Sequence, residues 1–154
     1  MVDGFVLNNQ LTDFSFVPVD RAGRPAANRV EPGKRPRSAM TPVIVLKNGR
    51  FFAALGSPGG PAILAYDLKA LVGLLDWNLD MQQAVALPNL IANGDRYNAE
   101  VDKLSPAVVQ GLAARGMSFT TGRGENSGLH GIKARDGSLE GGADPRREGV
   151  ALTD

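Results

Sequence analysis

The chain has no cysteine, one histidine and one tryptophan among its 154 residues. The missing thiols exclude disulfides, thiolate metal sites and a cysteine nucleophile together, and they leave the redox compartment open. Net charge is nearly absent too: 17 basic against 16 acidic residues leave +1, so no global field points to nucleic acid. Long apolar runs are also lacking. The most apolar stretch, 61–77, carries Asp67 and Lys69 inside it, which argues for a buried helix and against a membrane span. MVDGFVLNNQ at the N-terminus has neither a basic region nor an apolar stretch of signal-peptide length.

What remains is the composition of a folded domain with many turns. Apolar residues make up 43%, and 19 glycines with 10 prolines stand above the average without reaching a disordered composition. The length suits one domain, 1–154, of the α+β class. Residues 2–8 read as a strand. Residues 17–37 hold four prolines, two glycines, six basic and two acidic residues, and read as an extended solvated loop, with an anion-binding patch as the sharper alternative. TPVIVL (41–46) and FFAAL (51–55) flank Asn48-Gly49 and predict a hairpin, apolar almost throughout and so covered on both faces. A helix follows at 61–76, its stripe of Leu64, Leu68, Leu71, Val72 and Leu75 predicting burial around most of its circumference. Shorter helices are expected at 80–87 and from Pro106 to Arg115, the latter capped by Ser105 and ended by Gly116. MSFTTG (117–122) reads as a strand, and the Asp136-Gly137 turn marks a second hairpin.

The stretch LGSPGG (55–60) puts two bare residues, Gly59 and Gly60, where a turn hands over to the long helix. Such a turn aims backbone N–H groups at one point, and the helix dipole makes that point attractive to negative charge. It can hold a phosphate or a developing oxyanion, or serve geometry alone. A P-loop is disfavoured because Pro-Ala-Ile, not Lys-Ser/Thr, follows Gly60. A Ser57–His130 hydrolase pair is weaker, since GSPGG is not a nucleophile elbow and His130 lacks a placed acid partner.

Three stretches taken together change these odds. NNQLTDFSF (8–16), PGKRPRSAMTP (32–42) and LGSPGG (55–60) resemble, in order and spacing, the small-subunit motifs of the γ-glutamyltransferases. SGLHGI (127–132) and GGADPRREG (141–149) resemble that family's closing segment. The resemblance implies a partial N-terminal-nucleophile (αββα) sandwich, with mainly antiparallel sheets and covering helices. It implies an enzyme in which a threonine, exposed by self-cleavage, attacks the γ-amide of glutathione and passes the glutamyl group to an amino acid, a peptide or water. Gln10 and Asp13 match the positions that hold the substrate's α-ammonium, Ser38 one of two serines that hold its α-carboxylate, and Gly59 and Gly60 the oxyanion hole. The chemistry suits these roles: an ammonium needs the Asp13 charge and a neutral acceptor such as Gln10, and two preorganised amides suit a tetrahedral oxyanion.

Two departures matter. Ala39 stands where the family has its second serine, which weakens the grip on the carboxylate and leaves room for a cephalosporin acylase-like amidase. Thr12 replaces the usual acidic residue with less consequence. An N-terminal nucleophile must also lead its chain, because its own α-amino group is the base. Here Met1 and Val2 come first, so the resemblance places the threonine upstream and a carboxylate-gripping arginine on the large subunit. The expectation is therefore a clamp and an oxyanion hole without a nucleophile, inert alone, with γ-glutamyl compounds and the large subunit or missing N-terminal segment as partners. No cofactor or metal is called for. Location is expected to be periplasmic by resemblance. A non-catalytic remnant that binds γ-glutamyl compounds, or does nothing, is the alternative; nucleic-acid binding through 17–37 rests on charge alone.

Overall fold

Two hairpin turns supply the skeleton of the larger part of the computed structural model, which describes residues 3–121 and 126–152. The chain divides into two compact units, Met1–Ser38 and Ala39–Asp154.

In the second unit, β1 (Val43–Lys47) and β2 (Arg50–Gly56) pair antiparallel around Asn48 and Gly49, both at positive φ (53° and 75°), as an Asn-Gly hairpin requires. A register shift between Val45 and Leu46 marks a bulge. The second hairpin, β6 (His130–Arg135) and β7 (Ser138–Ala143), turns at Asp136 and Gly137 and joins β2 through β6, giving the sheet order β1-β2-β6-β7. One face of this sheet carries the core. Ala53 and Leu55 meet Tyr66, Ala70 and Leu74 of helix α1 (Ile63–Leu75), and Met81, Ala84 and Val85 of helix α2 (Met81–Ala86) complete the cluster with Leu129. Met81 sits so close to the strands that a Cβ at Gly131 or Gly142 would come within 2.7 or 2.9 Å of its side chain. Asp80 caps α2 with a reciprocal box to Gln83.

A second sheet, β3 (Leu90–Asn93), β4 (Arg96–Ala99) and the two-residue β5 (Thr120–Thr121), holds one antiparallel and one parallel pairing. Helix α3 (Pro106–Ala113) lies between β4 and β5 in sequence, capped by Ser105 and closed by Gly116 at φ 79°. Helices with mainly antiparallel sheets match the α+β expectation.

Four readings need correction. The hairpin is not covered on both faces: Ile44 is 72% and Leu46 63% exposed, because helices pack on the other side. The α1 stripe is not buried either, since Leu64, Leu68 and Leu75 face outward while Ile63, Tyr66, Ala70 and Leu74 enter the core. Of the strand expected at 2–8, residues 3–8 form none, and Val2 lies outside the described residues. MSFTTG narrows to β5, with Gly122 also outside them; the β3–β4 hairpin was missed despite its Asn93-Gly94 signal.

The first unit is built otherwise. Gln10–Asp13 form a single 3-10 turn, and no helix or strand follows until β1. Phe14 is buried, with short bridges Ser15–Arg29 and Val19–Pro25 folding the loop on itself. The loop's acidic residues are paired: Asp20 accepts from the backbone of Ala22 and Arg24 and from the Arg24 side chain, and Glu31 lies between Arg29 and Lys34.

Candidate functional site: the turn before the first helix

β2 ends at Gly56 and the chain reverses through Ser57, Pro58, Gly59 and Gly60 before a short 3-10 turn runs into α1. Gly59 adopts φ 140° and Gly60 φ 53°, conformations that side chains resist. Gly59 is buried against Tyr66, whose Cε2 would lie 2.5 Å from a Cβ at that position. Among the described residues, neither the Gly59 nor the Gly60 N–H donates a hydrogen bond, while the Gly59 carbonyl accepts from Ala62 at 3.1 Å. Two free donors thus stand at the positive end of a 13-residue helix, with Pro61 offering no competing N–H.

Ser57 anchors this turn. Its Oγ accepts from the Gly128 N–H at 3.1 Å and donates to the Pro58 carbonyl at 2.7 Å. Gly128 is wedged in place: a Cβ there would lie 2.8 Å from Pro58 Cγ and 2.7 Å from Arg147 Cδ. His130 Nδ1 pairs with the Gly128 carbonyl at 2.9 Å. Ser57 and His130 therefore both bond to Gly128, and no hydrogen bond joins them to each other among the described residues.

Behind Gly128 lies a buried polar network that the sequence reading did not single out. Asp144 Oδ2 accepts from Ser127 Oγ at 2.5 Å and from the Leu129 N–H at 3.2 Å. Arg146 spans both oxygens of Glu100 (2.8 and 2.5 Å), reaches Asp144 Oδ1 at 2.9 Å and donates to the Leu87 carbonyl at 3.0 Å. Asn89 donates to Ser127 at 2.9 Å, and Arg147 to the carbonyls of Ser127 and Asn126. Burial pushes the Glu100 carboxyl up, yet hydrogen bonds from Arg146, Asn89 and Lys103 hold it down at about 2. Asp144 is held below the usual carboxylate range against burial by Ser127 and Arg146. The DPRR run within GGADPRREG is the sequence signal for this network: a charge cluster directly after the small residues that end β7.

Helix α1 adds two ionisable groups. Asp67 is 2% exposed, and neither of its oxygens has a partner among the described residues; burial pushes its carboxyl up to about 6. Lys69 donates to the carbonyls of Val85 and Leu87, and burial, aided by the Arg146 charge, lowers it to about 8.

The other candidates belong to the first unit. Gln10 and Asp13 open and close the same 3-10 turn, Asp13 exposed and Gln10 half-buried. Ser38, also exposed, ends the unit, and Ala39 begins the next. The structure therefore brings Gln10 and Asp13 onto one turn, and Gly59 and Gly60 onto another. A groove of about 780 Å³ lies between β6–β7 and the 150–152 tail, lined by His130, Ile132, Leu139, Val150 and Leu152 among others. Among the described residues no group of three or more His, Cys, Asp or Glu could hold a metal, and no helix is long and apolar enough to cross a membrane.

Comparison with known proteins gives this geometry a setting. The chain is 31% identical over 151 residues to a glutathione hydrolase proenzyme of Bacillus subtilis, which aligns with 97% of this chain and 25% of the relative. It is 34% identical to the Escherichia coli glutathione hydrolase proenzyme (93% of this chain, 26% of the relative) and 35% to an acylase proenzyme of a Pseudomonas species (97% and 26%). The chain thus spans about a quarter of the length of these relatives. Among solved structures, an acivicin-inhibited gamma-glutamyltranspeptidase superposes with a TM-score of 0.80 at 31% identity, covering 96% of this chain and 83% of that one. This match bears out the expected N-terminal-nucleophile class. With the family model described as Gamma-glutamyltranspeptidase matching residues 1–153, and the motif glycines found as free donors at a helix mouth, the chain belongs to the gamma-glutamyltranspeptidase family.

Proposed function

We propose that these 154 residues supply the substrate clamp and the oxyanion hole of a γ-glutamyl-transferring enzyme, while the attacking hydroxyl belongs to polypeptide outside them. The observation that carries this reading is the pair of unpartnered amides at Gly59 and Gly60, ahead of α1. When a nucleophile adds to the γ-amide carbonyl of a glutathione-like donor, negative charge gathers on its oxygen. Two fixed N–H donors stabilise that charge without reorganising, and losing one such donor typically costs about 3–4 kcal/mol of barrier. Gln10 and Asp13 hold the donor's α-ammonium, and Ser38 its α-carboxylate. The acyl group then passes to an amino acid, a peptide or water. Alone, the chain is expected to be inert, and its partner is the remainder of the precursor, as the proenzyme relatives suggest. A periplasmic location remains part of this reading, by family likeness.

A second reading, an amidase taking acyl groups without an ammonium, draws on the acylase relative and on Ala39. Both are tested by adding this chain in trans to the E. coli relative's proenzyme lacking the quarter that matches it. Release of p-nitroaniline from γ-glutamyl-p-nitroanilide, lost with Asp13→Ala, is the expected result. Equal release with Asp13→Ala, or preference for a glutaryl anilide, supports the acylase. Turnover by the chain alone that Asp13→Ala abolishes overturns its inertness.

A further inference from the structure

We propose that Asn28 is a positioning residue that holds the two halves of the clamp, the Gln10–Asp13 turn and the segment leading into Ser38, in one register. The proposal rests on the reading of Gln10, Asp13 and Ser38 as a clamp, and it names what fixes their spacing. Between Phe14 and β1 the chain forms no helix or strand, so nothing repetitive sets how far Asp13 lies from Ser38. Asn28 sits midway along that stretch and bonds to both ends. Its Nδ2 donates to the Asp13 carbonyl at 2.7 Å, its Oδ1 accepts from the Arg37 N–H at 2.9 Å, and its own carbonyl accepts from the Ser15 N–H at 2.8 Å. Arg37 immediately precedes Ser38.

The residue type follows from the geometry. One planar amide carries a donor and an acceptor side by side, which this double contact needs. Aspartate keeps the acceptor for Arg37 but turns a charged oxygen toward the Asp13 carbonyl. Alanine keeps neither. Packing does not take over the task, since Phe14 is the buried apolar side chain recorded for this unit and Phe5, Leu11, Phe16, Val17 and Val30 are exposed. The charged pairs around Glu31 brace residues 26–34 separately, through Arg29 and Lys34. Among the described residues, the Asn28 side chain thus reaches both Asp13 and Arg37.

An α-amino acid group presents its ammonium and carboxylate on a single carbon, so the groups that bind them must keep a fixed separation. If that separation drifts by about an ångström, one of the two charge-assisted bonds is lost. Binding of the amino-acid head weakens before and during reaction alike, so the effect falls on KM and not on kcat.

The test is amide hydrogen exchange by NMR on the 154-residue chain, followed by titration with L-glutamate. In the unaltered chain the Arg37 amide is expected to be protected; exchange at the rate of an unstructured residue overturns the proposal without any variant. Asn28→Ala should speed Arg37 exchange about tenfold and shift the resonances of residues 11–15, leaving those of β1, β2, β6 and β7 in place. Asn28→Asp should keep Arg37 protected and shift the 11–15 set. Resonances unmoved at both ends in Asn28→Ala overturn the proposal. L-glutamate should move the Gln10, Asp13 and Ser38 amides along one saturation curve, with Kd about tenfold higher in Asn28→Ala; an unchanged Kd sinks the positioning role. In the reconstituted assembly the same variant should raise the donor KM about tenfold with kcat within twofold, and the reverse pattern counts against it. Glutamate moving no resonance in the unaltered chain defeats the clamp reading itself and the functional half of this proposal, while exchange at Arg37 separately decides whether the pin exists.

Discussion

Residues 3–38 and 39–152 are held by different forces. In the first stretch Phe14 is the recorded buried apolar side chain, and the loop is shaped by hydrogen bonds to Asn28, Asp20 and Glu31. In the second, Tyr66, Leu74, Met81, Val85 and Leu129 are closed off between a sheet and two helices, with an ion network built on Arg146 beside them. The difference sets the residues proposed for recognition apart from the packed core. Side chains proposed to read a ligand stand on a loop with little to lose in packing, whereas backbone donors stand on a turn fixed by a core.

The contrast breaks most readily at Arg146. Arg146→Met removes the partner of Glu100 and Asp144 together and should cost about 3–5 kcal/mol, read from the urea midpoint of the chain. A loss below about 1 kcal/mol would mean that the network adds little. The sign with pH is set by Glu100, whose carboxyl lies at about 2 when folded against an ordinary value of 4.5. Its contribution is present above pH 4.5 and fades as pH falls toward 2, and in Arg146→Met this acid limb should flatten.

Next comes Gly59→Ala, which meets the Tyr66 ring at 2.5 Å in a backbone conformation at φ 140°. The expected loss is about 2–4 kcal/mol, against about 1 kcal/mol for Gly60→Ala in the left-handed region. Equal effects would show that Tyr66 yields easily.

Asp67→Leu sharpens the comparison from the other side, because it should stabilise. The Asp67 carboxyl lies at about 6 when folded against 3.8 unfolded, so the native state binds the extra proton between these values. Stability therefore falls as pH rises from 4 to 6, and the buried charge weighs fully above that. At pH 7.5 the substitution should gain roughly 2–3 kcal/mol, shrinking toward pH 4. A gain independent of pH would show that the carboxyl does not titrate in that range.

The smallest effect is expected in the loop. Asp13→Ala should change thermal stability by less than about 0.5 kcal/mol, even though it removes the carboxylate proposed to hold the ligand's ammonium. A loss above about 1 kcal/mol would end the claimed division between recognition and packing.

How much of this was legible in the sequence depended on range. Asn48-Gly49 and Asp136-Gly137 announced their hairpins because positive φ is a local property, and all four residues carry it. Asn93-Gly94 carried the same signal and went unread, since its strands have four residues each and alternate weakly. The cap at Ser105 was local as well. The α1 stripe shows the limit: periodicity placed Leu64, Leu68 and Leu75 on one face but not which face meets the sheet, and Tyr66 and Asp67 went inward instead. The apolar residues at 5–7 misled: residues 3–8 form no strand, and Phe5, Val6 and Leu7 are exposed.

The turns at Asn48-Gly49 and Asp136-Gly137, the Ser105 cap and the family motifs were therefore settled by the sequence alone, since each depends on residues a few positions apart. The tertiary structure alone decided that Ser57 fastens to Gly128, 71 residues on, and that Asn28 reaches both Asp13 and Arg37. Such bonds need two distant backbones brought within about 3 Å at the right angle, and no local preference encodes that approach.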